Sequence, residues 1–171
     1  ALAANQVVHA IASVMYMLPM GMTTAVSIRV AQAIGSNSHD RVRAVGLAAS
    51  LIIAVWMSAI TGLLVLVRHD LAAGFGTDIE FMPLAAAMFL TLAFMQFADG
   101  MQSTAQGALR GLLDIKTPTV ITLAGYWLLA IPMAYTASIW LNLGPVGIWI
   151  GYGAGVLIAA IALQARFIVK T

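Results

Sequence analysis

Apolar residues run through this chain in five long stretches, broken only where charged and turn-forming residues collect. The stretches fall near residues 2–34, 42–67, 81–109, 118–141 and 145–168. Each is long enough to cross a bilayer as a helix, which takes about 20 apolar residues. Of the separators, "GSNSHDRVR" (35–43) reads as a polar turn and "RHDLAAGFGTDIE" (68–80) as a longer acidic loop; "RGLLDIKTP" (110–118) reads as a basic turn and "NLGP" (142–145) as a tight uncharged one. Thr77 and Glu80 have capping-box spacing ahead of the third run. Pro118 falls in the first turn of the fourth, where its missing N–H costs little. The pattern predicts an all-α fold, a polytopic bundle of five transmembrane helices.

Composition supports this, since 62% of the residues are apolar and only 8% are charged, against roughly 45–50% and 25% in a soluble domain. There is no cysteine, which excludes disulfides and thiolate metal sites. Taking the loops alternately, Arg29, Arg41, Arg43, Arg110, Lys116, Arg166 and Lys170 fall on one side and only Arg68 on the other. By the positive-inside rule the first set marks the cytoplasmic face and puts the carboxyl terminus there, with the loop of Asp70, Asp78 and Glu80 outside. Basic charge spread over helix ends signals topology and not nucleic-acid binding. Trp140, Trp149 and Tyr152 lie near the external ends of the last two runs, as an aromatic belt would. An odd number of spans puts residue 1 outside, so at least one further span is expected upstream and the chain is expected to be a piece of a larger membrane protein.

Charge inside the spans changes the picture most. In the third run Gln96, Asp99, Ser103, Gln106 and Arg110 recur at steps of three and four, which sets them on one helical face. Uncharged groups of that kind often serve as glue between helices, at an average of ~0.6 kcal/mol per hydrogen bond. An aspartate near the centre of a span costs about 2.5–3.5 kcal/mol on insertion scales, more than one such bond returns. No basic residue of the chain shares its depth. A carboxylate so placed can carry a proton, ligate Na+ or neutralise a cationic substrate, which makes Asp99 the coupling-ion candidate.

The first run adds Asn5, His9 and Ser13 at steps of four, with Gln6 beside them, all near the external end. Asn5 and Gln6 are further candidates for lining a cavity. "MYMLPMGM" then places Pro19 and Gly21 within a ring of methionines, either as adaptable packing or as a hinge. Pro132 in "LLAIPMAY" interrupts the fourth run in the same way, and "GALRG" (107–111) has the small-x-x-x-small spacing that lets helices approach.

"ALAANQ", "MLPMGMTTAVSIRVAQAIG", "QFADGMQSTAQGALRG", "DIKTP", "GYWLLAIPMAY" and "LGPVGIWIGY", in this order and over nearly the entire chain, resemble the carboxyl-terminal half of a multidrug and toxic-compound extrusion (MATE) transporter of the bacterial multidrug-efflux branch. The resemblance implies twelve helices in two pseudo-symmetric lobes, of which this chain would be the last five, the preceding helix and the amino-terminal lobe being absent. It implies a secondary antiporter in the bacterial inner membrane that exports cationic or amphipathic compounds in exchange for Na+ or H+, with no other cofactor. Asp99 matches the aspartate of the family's cation site in the tenth helix. Another acidic ligand would come from the preceding helix, and Met95 stands where some members carry an aromatic residue.

Two alternatives stay open. A lipid or lipid-linked-sugar flippase of related architecture would share the spans, but it would be expected to line its cavity with basic residues for an anionic headgroup. A structural membrane subunit would need Asp99 only as a hydrogen-bonding group. An enzyme is not expected: His9, His39 and His69 lie apart, and neither H-E-x-x-H nor G-x-S-x-G occurs.

Overall fold

The structure, a computed structural model, describes residues 2–75 and 81–171. Its elements are α1 (Leu2–Gly35), α2 (His39–Phe75), α3 (Phe81–Gly111), α4 (Lys116–Ala124), a π-helical stretch (Gly125–Ala130), α5 (Ile131–Tyr135), a second π-helical stretch (Thr136–Trp140) and α6 (Gly144–Lys170). The segments from Lys116 to Trp140 follow one another directly, so five long helical rods result, as the apolar pattern predicts.

Two separators are shorter than expected. The stretch 68–75 is the end of α2 and not loop: Leu71, Ala72 and Ala73 favour helix, no proline stops it, and the Arg68 guanidinium donates to the Val65 carbonyl at 3.0 Å. The first turn narrows to residues 36–38, because Asn37 takes a left-handed φ of 54° and closes α1. The amide N–H groups of Asn37 and Ser38 then bond back to the carbonyls of Ile34 and Ala33, a Schellman ending. The capping-box pair Thr77 and Glu80 lies outside the described residues.

α3 is the axis of the bundle, packed against α1, α2 and α6. Phe89, Leu92 and Leu109 are fully buried on it, while Phe94 is exposed. Among the described residues, four helices are long and apolar enough to cross a membrane, and α3 is not one of them. A helix walled in by other helices can carry Gln96, Gln102, Ser103 and Thr104 buried among them. The "GALRG" spacing seats α1 on α3. A Cβ on Gly111 would stand 2.6 Å from the Ser27 carbonyl oxygen, and one on Gly107 would strike that of Thr23. Gly147, Gly151 and Gly155 do the same for α6 against Ala137, Ala134 and Ala130.

Two apolar clusters fill the bundle. One gathers Leu64, Met88, Phe89, Leu92 and Met95; the other gathers Val26, Val30, Val42, Leu109, Leu163 and Phe167. Between them α3 carries its polar residues. The rod formed by α4, α5 and the two π stretches leans on α6, and cavities open between it and the body of the bundle.

Candidate functional site

Asp99 stands on the wall of an open cavity of about 970 Å³ lined by α1, α3, α5 with its flanking π-helical stretches, and α6. It is half-buried, and among the described residues no hydrogen-bond or ion-pair partner meets its carboxylate. Residues at helical spacing on three helices form much of the wall. On α3, Met95, Gln96 and Asp99 face inward at helical spacing; on α1, His9, Ala12, Ser13 and Tyr16 do; on α6, Pro145, Ile148, Trp149 and Tyr152 do. The wall is chiefly apolar with a few convergent polar groups, the usual make-up of a small-molecule site.

The predicted site residues separate into groups. Gln96 lines the cavity and is held there by its amide N–H, which donates to the Ala12 carbonyl at 3.2 Å. Ser103 does not line it; it is buried one turn further along and pairs with the Tyr16 hydroxyl at 3.2 Å, which fixes that ring in the wall. Gln106 lies in a second cavity of about 250 Å³, with Arg110, Asp114, Thr122 and Tyr126, and donates to the Thr122 hydroxyl at 2.8 Å. The stripe of Gln96, Asp99, Ser103, Gln106 and Arg110 is therefore one face serving two cavities, because the face is longer than either. Gln6 is exposed and outside both linings, and the side chain of Asn5 lies outside the described part.

The proline positions differ in kind. α1 runs unbroken through a buried Pro19 and an exposed Gly21, with the Thr23 hydroxyl donating to the Pro19 carbonyl at 2.8 Å. At Pro132 the ladder itself changes. The preceding stretch widens to π geometry, and the Ile131 N–H bonds to the Tyr126 carbonyl five residues back. Proline has no N–H, and its ring crowds the carbonyl four residues before it; widening that turn relieves the clash.

Trp149 and Tyr152 face the Asp99 cavity, because their spacing with Pro145 and Ile148 places them on the side of α6 that meets α1 and α3, whereas Trp140 is 75% exposed. Tyr16 and Tyr126 carried no signal beyond being tyrosines in apolar runs, and only packing draws them to α3.

The other carboxylate associated with α3 is Asp114, in the turn after its end. Its Oδ2 accepts from Lys170 at 3.0 Å and from Arg166 at 3.1 Å, and its side chain is 7% exposed. The Lys170 ammonium above all, helped by Arg166 and Thr117, holds its carboxyl below the usual carboxylate range against the opposing effect of burial. This cluster joins the α3–α4 turn to the last turns of α6, where the basic residues gather.

Comparison with known proteins places this architecture. The MatE family model matches residues 1–136. A probable multidrug resistance protein NorM of Rhodopseudomonas palustris is 37% identical over 98% of this chain and 36% of its own length. The multidrug resistance protein MdtK of Edwardsiella ictaluri is 33% identical over 97% of the chain and 37% of its own length. The crystal structure of the eukaryotic MATE transporter AtDTX14 superposes with a TM-score of 0.90 at 22% identity, over 99% of this chain and 38% of that one. The chain thus spans a little over a third of the length of these relatives. With a bundle of membrane-spanning helices, a cavity with Asp99 on its wall, and a family match across well over half of its length, this integral membrane chain belongs to the MatE family, one of transporters and not of enzymes.

Proposed function

We propose that the protein to which this chain belongs is a secondary antiporter that exports cationic or amphipathic compounds in exchange for Na+ or H+, and that Asp99 is its coupling site. The observation that carries the reading is a carboxylate that has no ion-pair partner among the described residues, set in the wall of a largely apolar cavity of about 970 Å³. An intramembrane acid of this kind is retained for function, since its insertion cost is not returned by pairing. The names of the relatives, multidrug resistance proteins, support drug export.

One carboxylate shared by two cations gives the exchange. When a proton or Na+ occupies Asp99, its negative charge is no longer available to an organic cation; when it leaves, the site attracts one. Occupancy by either disfavours the other, and that reciprocal coupling is what antiport requires. Tyr16, Trp149 and Tyr152 around the carboxylate offer ring faces to an organic cation, worth about 0.5–2 kcal/mol each where water is excluded. The chain supplies part of a carboxyl-terminal lobe, and the preceding helix and the amino-terminal lobe complete the path. Pro19, Gly21 and Pro132 are the positions about which the lobe bends during alternating access. The basic end of the bundle faces the cytoplasm of a bacterial inner membrane, carboxyl terminus included.

The test is Asp99→Asn in the full-length protein, which keeps size and hydrogen bonding and removes the charge. Ethidium efflux from cells is expected to vanish while membrane expression is unchanged, and Asp99→Glu is expected to retain part of it. Normal efflux by a well-expressed Asp99→Asn protein would overturn the reading and leave Asp99 a structural hydrogen-bonding group.

A further inference from the structure

Gln102 lies one turn beyond Asp99 on α3 and is 2% exposed. Its Nε2 donates to the Tyr126 hydroxyl at 3.1 Å. Its Oε1 is buried and, among the described residues, has no hydrogen-bond partner. A buried acceptor without a donor is costly, and turning the amide over does not help: the oxygen would then accept from Tyr126, but the NH2 would be orphaned instead. In either orientation one polar group of this side chain has no partner among the described residues.

The surroundings indicate what that is. Tyr126 borders the cavity that holds Gln106, Arg110 and Asp114. Tyr152 borders the cavity that holds Asp99. Their rings meet at 5.7 Å between centroids, tilted by 33°, and Asp99 is near enough to interact electrostatically with both phenols. The two cavities are therefore kept apart by two tyrosines, with Gln102 beside them. Tyr126 also sits in the π-helical stretch that precedes Pro132, and small residues bring that stretch close to α6, Gly125 against Ala159 and Ala130 against Gly155.

We propose that Gln102, Tyr126 and Tyr152 form a polar septum through which the coupling cation passes between the Asp99 cavity and the cavity at the basic end, with the Gln102 carbonyl oxygen as the ligand at the crossing. The cargo is a small monovalent cation, either a proton carried on water or Na+, because both are bound by a carbonyl oxygen and neither needs a wider opening. This rests on the assignment of Asp99 as the coupling site.

The test uses the full-length protein in proteoliposomes with Tyr126→Phe, Gln102→Leu and Asp99→Asn in parallel. Ethidium efflux is driven either by a Na+ gradient at constant pH or by a pH gradient without Na+, and whichever arm drives the unaltered protein identifies the cation. Ethidium binding to the purified protein in detergent is measured alongside. Tyr126→Phe and Gln102→Leu are expected to lower driven efflux by roughly ten-fold or more while binding stays within about two-fold, a split that a merely structural lesion would not give. Tyr126→Phe keeps the ring and its packing, so it decides the matter if Gln102→Leu inserts poorly. Unaltered efflux in both variants beside an inactive Asp99→Asn would overturn the septum and leave the coupling site standing. Loss of binding together with efflux would also overturn it, since the groups would then belong to the drug pocket or the fold. Unaltered efflux by Asp99→Asn would instead remove the coupling site, and the septum with it.

Discussion

Asp99 and Asp114 are both associated with α3, and they have opposite surroundings. Asp114, in the turn after the helix, is clasped by Lys170 and Arg166 from the end of α6 and is almost covered. Asp99, within the helix, faces a cavity and has no ion-pair partner among the described residues. Where a carboxylate is paired, the geometry is fixed and the charge is spent on holding two elements together. Where it is unpaired at the depth of a bilayer, the charge remains available to something that comes and goes. The difference between the two sites is the difference between a fastening and a binding site.

Exchanging the effects of one substitution at the two positions is the strongest way to break that contrast. Asp114→Asn in the full-length protein should lower stability by about 1–2 kcal/mol, the range for charge-assisted hydrogen bonds whose partners are partly exposed, and should leave efflux per inserted molecule near normal. Asp99→Asn should do the reverse. Thermal unfolding in detergent and efflux normalised to membrane expression read the two quantities, and an Asp114→Asn protein that is stable but inactive would dissolve the distinction.

The pH dependence sharpens it. Because its folded-state pKa is lowered, chiefly by Lys170, Asp114 stabilises the protein fully above its unfolded pKa, about 3.9. That contribution is lost as pH falls through the lower folded value. The gap in melting temperature between the unaltered protein and Asp114→Asn should therefore be widest near neutral pH and close in strong acid. A gap that stays constant across that window would mean that the ion pairs do not hold the turn.

A smaller effect concerns the turn itself. Leu113, just before Asp114, has a left-handed φ of 59° and is exposed; it closes α3 with a Schellman pattern, its own N–H and that of Asp114 bonding to the carbonyls of Arg110 and Leu109. A side chain is strained in that conformation, so Leu113→Gly should raise stability by about 0.5–1 kcal/mol. It should offset part of the loss in Asp114→Asn when the two are combined. The smallest change expected is that of Gln106→Ala, which removes one hydrogen bond to Thr122 and leaves the Asp99 cavity untouched; efflux should fall only modestly.

Much of this protein was legible in the order of its residues. Five apolar runs separated by charge dictated five helices, since a backbone in lipid must satisfy its own hydrogen bonds. Asp99 stood out because a carboxylate within an apolar run is costly and no basic residue of the chain shares its depth. The "GALRG" spacing of α3 was readable too, as close approach needs small residues wherever the neighbour lies. What the residues could not disclose were relations between helices. Gln106 shares a face with Asp99 and opens on a different cavity, Trp149 and Tyr152 line the Asp99 cavity, and Gln102, which lies off the polar stripe, ends beside Tyr126 with an oxygen that has no partner among the described residues. Periodicity fixes the angle of a side chain about its own helix axis. Only the packing of α4, α5 and α6 around α3 decides what lies at that angle, because helix rotation and tilt are set by contacts among residues far apart in the chain.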